Sequence, residues 1–168
     1  MRLREEFIFK NKKIIIRKTG NEVIAMLDND EYYYEQSLFS ISNKKDDSIY
    51  SLEFILGILN SSLSKYLLKI NPFSNKDLFP QIRLHWLKEY PIRLINNDDT
   101  NLKYLHDKIV TLVDQMLESK KQLQLIKTDK DKTYYERKCK TLDKQIDSEV
   151  YKLYGLTEEE IKIVENKN

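Results

Sequence analysis

The sequence predicts an α+β protein: a small, mixed, β-rich domain, then a long antiparallel helical hairpin and a short C-terminal helix. Three patterns carry that expectation. Short β-branched and aromatic clusters fill residues 7–41. An apolar period of three and four begins at Leu52. A Leu/Ile seam then runs from 102 to 153, with one polar interruption at Ser119 and a polar connection, read as a hairpin turn, at 127–132. The division falls near residue 100, with one domain over 1–100 and a helical region over 101–168.

In chain order, Phe7-Ile8-Phe9 and Lys13-Ile14-Ile15-Ile16-Arg17 read as strands, followed by a turn at Thr19-Gly20-Asn21. Val23-Ile24-Ala25-Met26-Leu27 is the next strand, stopped by Asp28-Asn29-Asp30. Tyr32-Tyr33-Tyr34 and Ser37-Leu38-Phe39-Ser40-Ile41 complete the β-rich third, and 43–48 is a polar loop. Leu52, Ile55, Leu56, Leu59, Leu63, Tyr66, Leu67 and Ile70 share one helix face, so a helix over 51–70 is expected, with Ser51 as its N-cap. Gly57, Ser61 and Ser62 would let a second backbone come close to it. Asn71-Pro72-Phe73 ends the helix, and residues 71–100 read as loops with short extended pieces around Phe79-Pro80-Gln81-Ile82-Arg83.

The last third reads as helical throughout. Leu102, Leu105, Ile109, Leu112, Met116, Ser119, Leu123 and Ile126 form one seam, and Tyr135, Cys139, Leu142, Ile146, Glu149 and Leu153 form its partner. Helices of about 25 residues would be ~35–40 Å long at ~1.5 Å per residue. Gly155 fits the C-cap, and Thr157-Glu158-Glu159-Glu160 is a capping box for a final short helix.

Composition excludes several classes. One cysteine, Cys139, rules out a disulfide scaffold and a multi-cysteine zinc site. Three glycines leave little material for a Gly-rich phosphate loop. No apolar run approaches the ~18–20 residues of a membrane span, and no signal-type segment follows Met1, so a soluble, cytoplasmic protein with no membrane partner is expected. The total charge is only +2, but it is unevenly distributed. Residues 1–18 hold seven Lys/Arg and two Glu, 19–35 hold five acids and no base, and 60–93 hold six bases and two acids. Basic stretches of this kind suit phosphate contacts, though a solvated lysine-rich surface has the same composition.

The residue patterns that mimic catalytic motifs each have a plainer reading. Asn71-Pro72-Phe73-Ser74 resembles the loop that adenine methyltransferases present to a flipped base. It lacks the second proline and any upstream strand–glycine loop, so it reads as a helix stop. Asp114, Glu118 and Lys120 mimic a nuclease spacing but fall on a long helix, where Asp114 and Glu118 are i,i+4 neighbours. Cys139 lies on an apolar seam, where a packed thiol is the ordinary outcome. His85 and His106 are too few for a metal cluster, and His106 reads as a surface or capping residue. No catalytic set and no metal site is expected. Around His85, however, Gln81, Arg83 and Lys88 crowd together beside Trp86. Arg and Gln pair bidentately with guanine and adenine edges. The same residues also fit a surface loop with Trp86 plugged into the core.

The order of segments resembles the TaqI-like C-terminal specificity domain. The opening resembles it in Ile14-Ile15-Ile16-Arg17-Lys18-Thr19-Gly20, Ala25 and Tyr33-Tyr34-Glu35-Gln36-Ser37-Leu38-Phe39-Ser40-Ile41. Its helix is matched by Leu52-Glu53-Phe54-Ile55-Leu56-Gly57-Ile58-Leu59-Asn60-Ser61-Ser62-Leu63. Phe79-Pro80-Gln81-Ile82, Tyr90-Pro91-Ile92 and Leu153-Tyr154-Gly155-Leu156-Thr157-Glu158-Glu159-Glu160-Ile161 resemble the later segments. The resemblance implies DNA target recognition for an adenine-N6 methyltransferase or a type IIG restriction–modification enzyme. The chain would act as a C-terminal fragment or a separate specificity subunit. The closing helices also resemble the spacer helices of type I specificity subunits, which dock onto methyltransferase subunits.

The implied partners are double-stranded DNA and a methyltransferase domain or subunit. S-adenosylmethionine would be held by that partner and no cofactor by this chain. Phosphate contacts position such a domain and a few side chains read bases. Lys12, Lys13, Lys18 and Lys76 are the phosphate candidates, and Arg17, Asn21, Gln81, Arg83 and His85 the base-reading candidates. The alternative is a helical protein–protein interaction module that binds no DNA. On either reading the seam at 102–153 closes within one chain or between two, the latter giving a helix-mediated dimer.

Overall fold

A computed structural model describes residues 7–43, 50–70, 81–96 and 98–166. The expectations on Asn71-Pro72-Phe73-Ser74, Lys76, Phe79-Pro80 and most of the polar loop at 43–48 lie outside the described residues. The chain forms two compact units. One comprises 1–60 with 64–92, and the other comprises 61–63 with 93–168.

The first unit is built on a three-stranded antiparallel sheet of β1 (Lys13–Arg17), β2 (Ala25–Asp28) and β3 (Leu38–Ile41), in the order β2-β1-β3. In β1, Lys13 to Ile16 are all buried, because this central strand is covered on both faces. The register pairs Lys13 with Asp28 and Ile16 with Ala25 on one side, and Ile14 with Ile41 and Arg17 with Leu38 on the other. Both outer strands run antiparallel to β1, so the 29–37 connection must cross β1 to enter β3 at the Arg17 end. Among the described residues, α2 (Leu52–Leu59) follows, starting at Ser51, whose side chain accepts the Phe54 N–H as expected. Phe54, Ile58 and Leu59 are its most deeply buried side chains.

Several expectations for this unit need correction. Residues Phe7–Lys10 form a single helical turn, α1, instead of a strand. The Phe9 carbonyl accepts from the Lys13 ammonium at 2.6 Å, and the buried Phe9 ring stacks on Tyr33 at 4.6 Å. A cation at the end of the turn and an aromatic contact from elsewhere in the chain outweigh a weak local β preference. Tyr32, Tyr33 and Tyr34 lie in irregular backbone. The Asp28 carboxylate accepts the N–H groups of Asp30 (2.9 Å) and Tyr32 (3.1 Å) and so turns the chain out of the sheet. The helix expected over 51–70 is two helices, α2 and α3 (Ser62–Ile70). At the break, the Asn60 amide receives the Ala25 N–H at 2.9 Å and donates to the Ala25 carbonyl at 3.0 Å. A side chain that pairs with both groups of one residue of β2 is favoured at a helix end over its interior.

Leu84–Lys88, expected to be irregular, is a short helix, α4, and within it Trp86 is buried against Tyr90. The driving contact is apolar: Trp86 is 9 % exposed, while Leu84 and Arg83 face outward. The first unit also holds a fully buried ion pair. Lys13 and Asp28 are both at 0 % side-chain exposure, 2.6 Å apart.

The second unit is the helical hairpin of α5 (Thr100–Leu125) and α6 (Asp129–Tyr154), each 26 residues long, followed by α7 (Glu158–Val164). Each start is marked by a nearby side chain. Asp99 accepts from Asn101 and Leu102, Thr128 from Asp131, and Thr157 exchanges bonds with Glu160 in the expected capping box. Gly155 closes α6 in the left-handed conformation (φ 68°). Leu105, Ile109, Leu112, Cys139, Leu142, Ile146 and Leu153 are buried, as the seam predicts. Glu149 does not join them: it is half-buried and pairs with Lys152, and Val150 is fully buried. Ser119, the polar interruption, is fully buried because its hydroxyl donates to the Gln115 carbonyl at 2.7 Å. Leu102, Met116, Leu123, Ile126 and Tyr135 are only half-buried. Residues 61–63 join this unit, where Ser62 donates its N–H and its hydroxyl to the two carboxylate oxygens of Asp147 at 2.8 and 2.7 Å.

Candidate nucleic-acid interface

The 18–24 connection between β1 and β2 begins the site. Arg17 N–H donates to the Ile24 carbonyl at 3.0 Å and closes the turn. Gly20 has φ 139°, and a Cβ there would lie 2.7 Å from an Arg17 guanidinium nitrogen. The backbone conformation requires glycine, and the flexible Arg17 side chain folds over it. Arg17 and Asn21 are exposed.

A second stretch, about 60 residues later, joins this turn. Gln81 forms an antiparallel bridge with Thr19, and Ile82 N–H donates to the Lys18 carbonyl at 2.7 Å. The stretch is anchored from below by Ile82, 2 % exposed, and by Trp86 and Tyr90 in an edge-to-face contact at 5.1 Å. Gln81 and Arg83 are exposed on either side of that anchor. Arg83 stands in extended conformation at the N-cap of α4 and makes no capping bond. Arg17, Lys18, Asn21, Gln81 and Arg83 therefore lie around one bridge. His85, also exposed, sits on α4 with its Nε2 3.0 Å from Glu89.

The remaining phosphate candidates divide. Lys12 stands before β1, at the end of the sheet away from Arg17, and its ammonium pairs with Glu53. Burial pushes the Glu53 carboxyl up, but the Lys12 contact, its own backbone N–H and the Ser51 side chain together leave the group below its ordinary value. Lys13 is corrected outright. It is wholly buried, with its ammonium on Asp28 and on the Phe9 carbonyl, so it holds the sheet together and is closed to a phosphate. Lys18 is half-buried, its ammonium on the Gln36 carbonyl and 4.5 Å from the centre of the Phe39 ring. Residues 35–37 are not among the DNA-contact candidates expected from the sequence, and this contact brings them to the same turn. Nothing local marks them, because the contact spans 18 positions.

The apolar anchor and the exposed polar rim are both present in the 81–88 segment. Trp86 is in the core, and Gln81, Arg83, His85 and Lys88 remain outside it. Cys139 is a buried free thiol. His106 is half-buried on α5, its Nδ1 2.9 Å from Asp107. Among the described residues no group of three or more His, Cys, Asp or Glu could hold a metal ion, and no helix is long and apolar enough to cross a membrane.

The family model for the TaqI-like C-terminal specificity domain matches residues 2–92. The match ends where the first unit ends, at Ile92, and takes in both halves of the bridge. The helical unit, including the 153–161 segment expected to share the resemblance, lies outside it. No curated protein sequence matches the chain. Matched over more than half its length, the chain belongs to the TaqI-like C-terminal specificity domain family, whose role is DNA recognition in methyltransferase and restriction systems.

Proposed function

We propose that this chain reads a short sequence in double-stranded DNA on behalf of an adenine-N6 methyltransferase or a type IIG restriction–modification enzyme. The observation that carries the reading is the Thr19–Gln81 bridge. It gathers exposed Arg17, Asn21, Gln81 and Arg83, from two distant stretches, onto one anchored framework. Arginine and the amide side chains are the residues that form paired hydrogen bonds with base edges, and a rigid support keeps them in register. His85 stands beside them as a further donor or acceptor. Lys76 would add a phosphate contact.

The α5–α6 hairpin is the docking arm of this scheme, holding the reading unit to a methyltransferase domain or subunit in the cytoplasm. S-adenosylmethionine would be bound by that partner, and base flipping and methyl transfer would occur there. The chain supplies position and sequence choice.

The test is selection from a randomised duplex pool at about 50 mM and about 200 mM salt, with and without a candidate methyltransferase subunit. Enrichment of a short motif, with affinity falling steeply as salt rises, is the expected result. No enrichment in either setting, with the fold intact, would favour the helical interaction module.

A further inference from the structure

The 29–37 connection leaves β2 beside Lys13 and enters β3 opposite Arg17, so its last residues arrive at the same end of the sheet as the 18–24 turn. They are fixed there through one residue. Lys18 N–H donates to the Ser37 carbonyl at 3.1 Å, and its ammonium donates to the Gln36 carbonyl. Its own carbonyl accepts the Ile82 N–H at 2.7 Å. Lys18 thus ties together three segments, 17–21, 35–38 and 81–83, with its N–H, its carbonyl and its ammonium. That ammonium also lies against the Phe39 ring, an arrangement that holds a cation in place. Residues 35–38 themselves form a turn, closed by Leu38 N–H on the Glu35 carbonyl at 3.3 Å, and Gln36 is exposed in it.

We propose that Gln36 is a base-reading side chain of this surface, alongside those of the 17–21 and 81–83 segments, and that Lys18 is the positioning residue that holds its turn. The inference rests on the DNA-reading function proposed above. A glutamine amide offers one donor and one acceptor in the spacing that matches the N6 and N7 edge of adenine. Its backbone is held where two other reading segments meet. Lys18, with its ammonium already committed to a carbonyl and a ring, acts through Gln36 and makes no phosphate contact of its own.

The experiment compares the full-length wild-type chain with Gln36→Ala, Lys18→Met and Lys18→Arg in motif selection and in titrations at about 50 and about 200 mM salt. Gln36→Ala is expected to lose about 5- to 150-fold in preference at one position of the motif and to leave the other positions unchanged. Lys18→Met is expected to relax that same position, with the salt dependence of binding intact. Lys18→Arg, which retains a donor and a cation, is expected to restore it. A phosphate contact behaves differently: its loss weakens every sequence alike and lowers the logarithmic salt slope by about one.

An unchanged motif in Gln36→Ala, or a reduced salt slope with an unchanged motif in Lys18→Met, overturns the proposal. If the wild-type chain still selects its motif in that case, the DNA-reading function stands. A wild-type chain that selects no motif overturns the DNA-reading function and the role of Gln36 with it. Circular dichroism of each variant separates a lost contact from a lost fold.

Discussion

The two units of the molecule fix their irregular segments by opposite means. In the first, loops are held by partners far away in sequence. Asn60 clasps Ala25, Lys18 holds Gln36, Ile82 joins Lys18, and Lys13 is buried against Asp28. In the second, apart from Ser62 on Asp147, helix ends are held by the residues next to them. Asp99 caps α5, Thr128 caps α6, Gly155 ends α6, and Thr157 and Glu160 cap each other at the start of α7. Local caps make long, regular, interchangeable helices. Long-range polar pins make a compact surface from short pieces, and exposed side chains can vary on that surface while the pins remain. The pinned arrangement of the first unit suits a framework for reading different sequences, and the local caps of the second suit an arm of fixed length.

The largest effect expected from this contrast follows from the Lys13–Asp28 pair. Lys13→Met leaves a carboxylate with no exposure and no cation, and should cost about 3–5 kcal/mol. Urea denaturation followed by the fluorescence of Trp86, the only tryptophan, reads this loss in the first unit. Adding Asp28→Leu should recover much of it, since an apolar pair removes the stranded charge. A Lys13→Met protein as stable as the wild type would break the comparison, because the first unit would then not depend on its long-range pins.

That buried pair also shows where the sequence was legible. The helical unit was read nearly whole, down to the Ser119 interruption, the Gly155 cap and the capping box at Thr157, because each signal lies within three or four residues of its effect. The first unit was read less well for the reason already given. Nothing near Phe9 indicates that Tyr33, 24 positions on, will stack on its ring. Nothing near Asn60 announces Ala25, so one helix was expected where there are two. Lys13 looked like a surface cation in a basic run, and its burial depends on an acid across the sheet. The candidate surface was partly visible as residue types, Arg, Gln and Asn near glycine and proline. The bridge that joins its halves was not, since Thr19 and Gln81 carry no mark of each other.

A second, smaller effect sharpens the contrast on the functional side. Arg83→Ala should weaken binding to the cognate duplex by about 1–3 kcal/mol and relax one position of the motif, measured by titration against single-substitution duplexes. An equal loss on every sequence would make Arg83 a phosphate contact. Thr157→Ala removes a local cap and should cost about 0.5–2 kcal/mol. Amide hydrogen exchange should accelerate within 158–164, at the helix it caps.

The smallest effect concerns Asp147. Its carboxyl lies above the ordinary Asp value of 3.8, chiefly through burial, against which the two Ser62 bonds act downward. The folded unit therefore holds this proton more tightly than the unfolded chain. The stability so gained is complete below 3.8 and is lost as pH rises through the elevated value. Asp147→Asn keeps an acceptor for Ser62 without the charge, so it should raise stability slightly at neutral pH and remove this acid-side gain. Thermal unfolding of both proteins at pH 4 and pH 7, both about these values, checks the sign.

The central claim is that the 17–21 turn and the 81–85 segment act as one DNA-reading surface. The most direct measurement is the change in backbone amide NMR signals of the full chain as its selected duplex is added. Perturbations in both segments, including Arg17, Asn21, Gln81 and Arg83, with the buried α5–α6 seam unchanged, are the result this account expects. Perturbations confined to one segment, or to the helical hairpin, would contradict it.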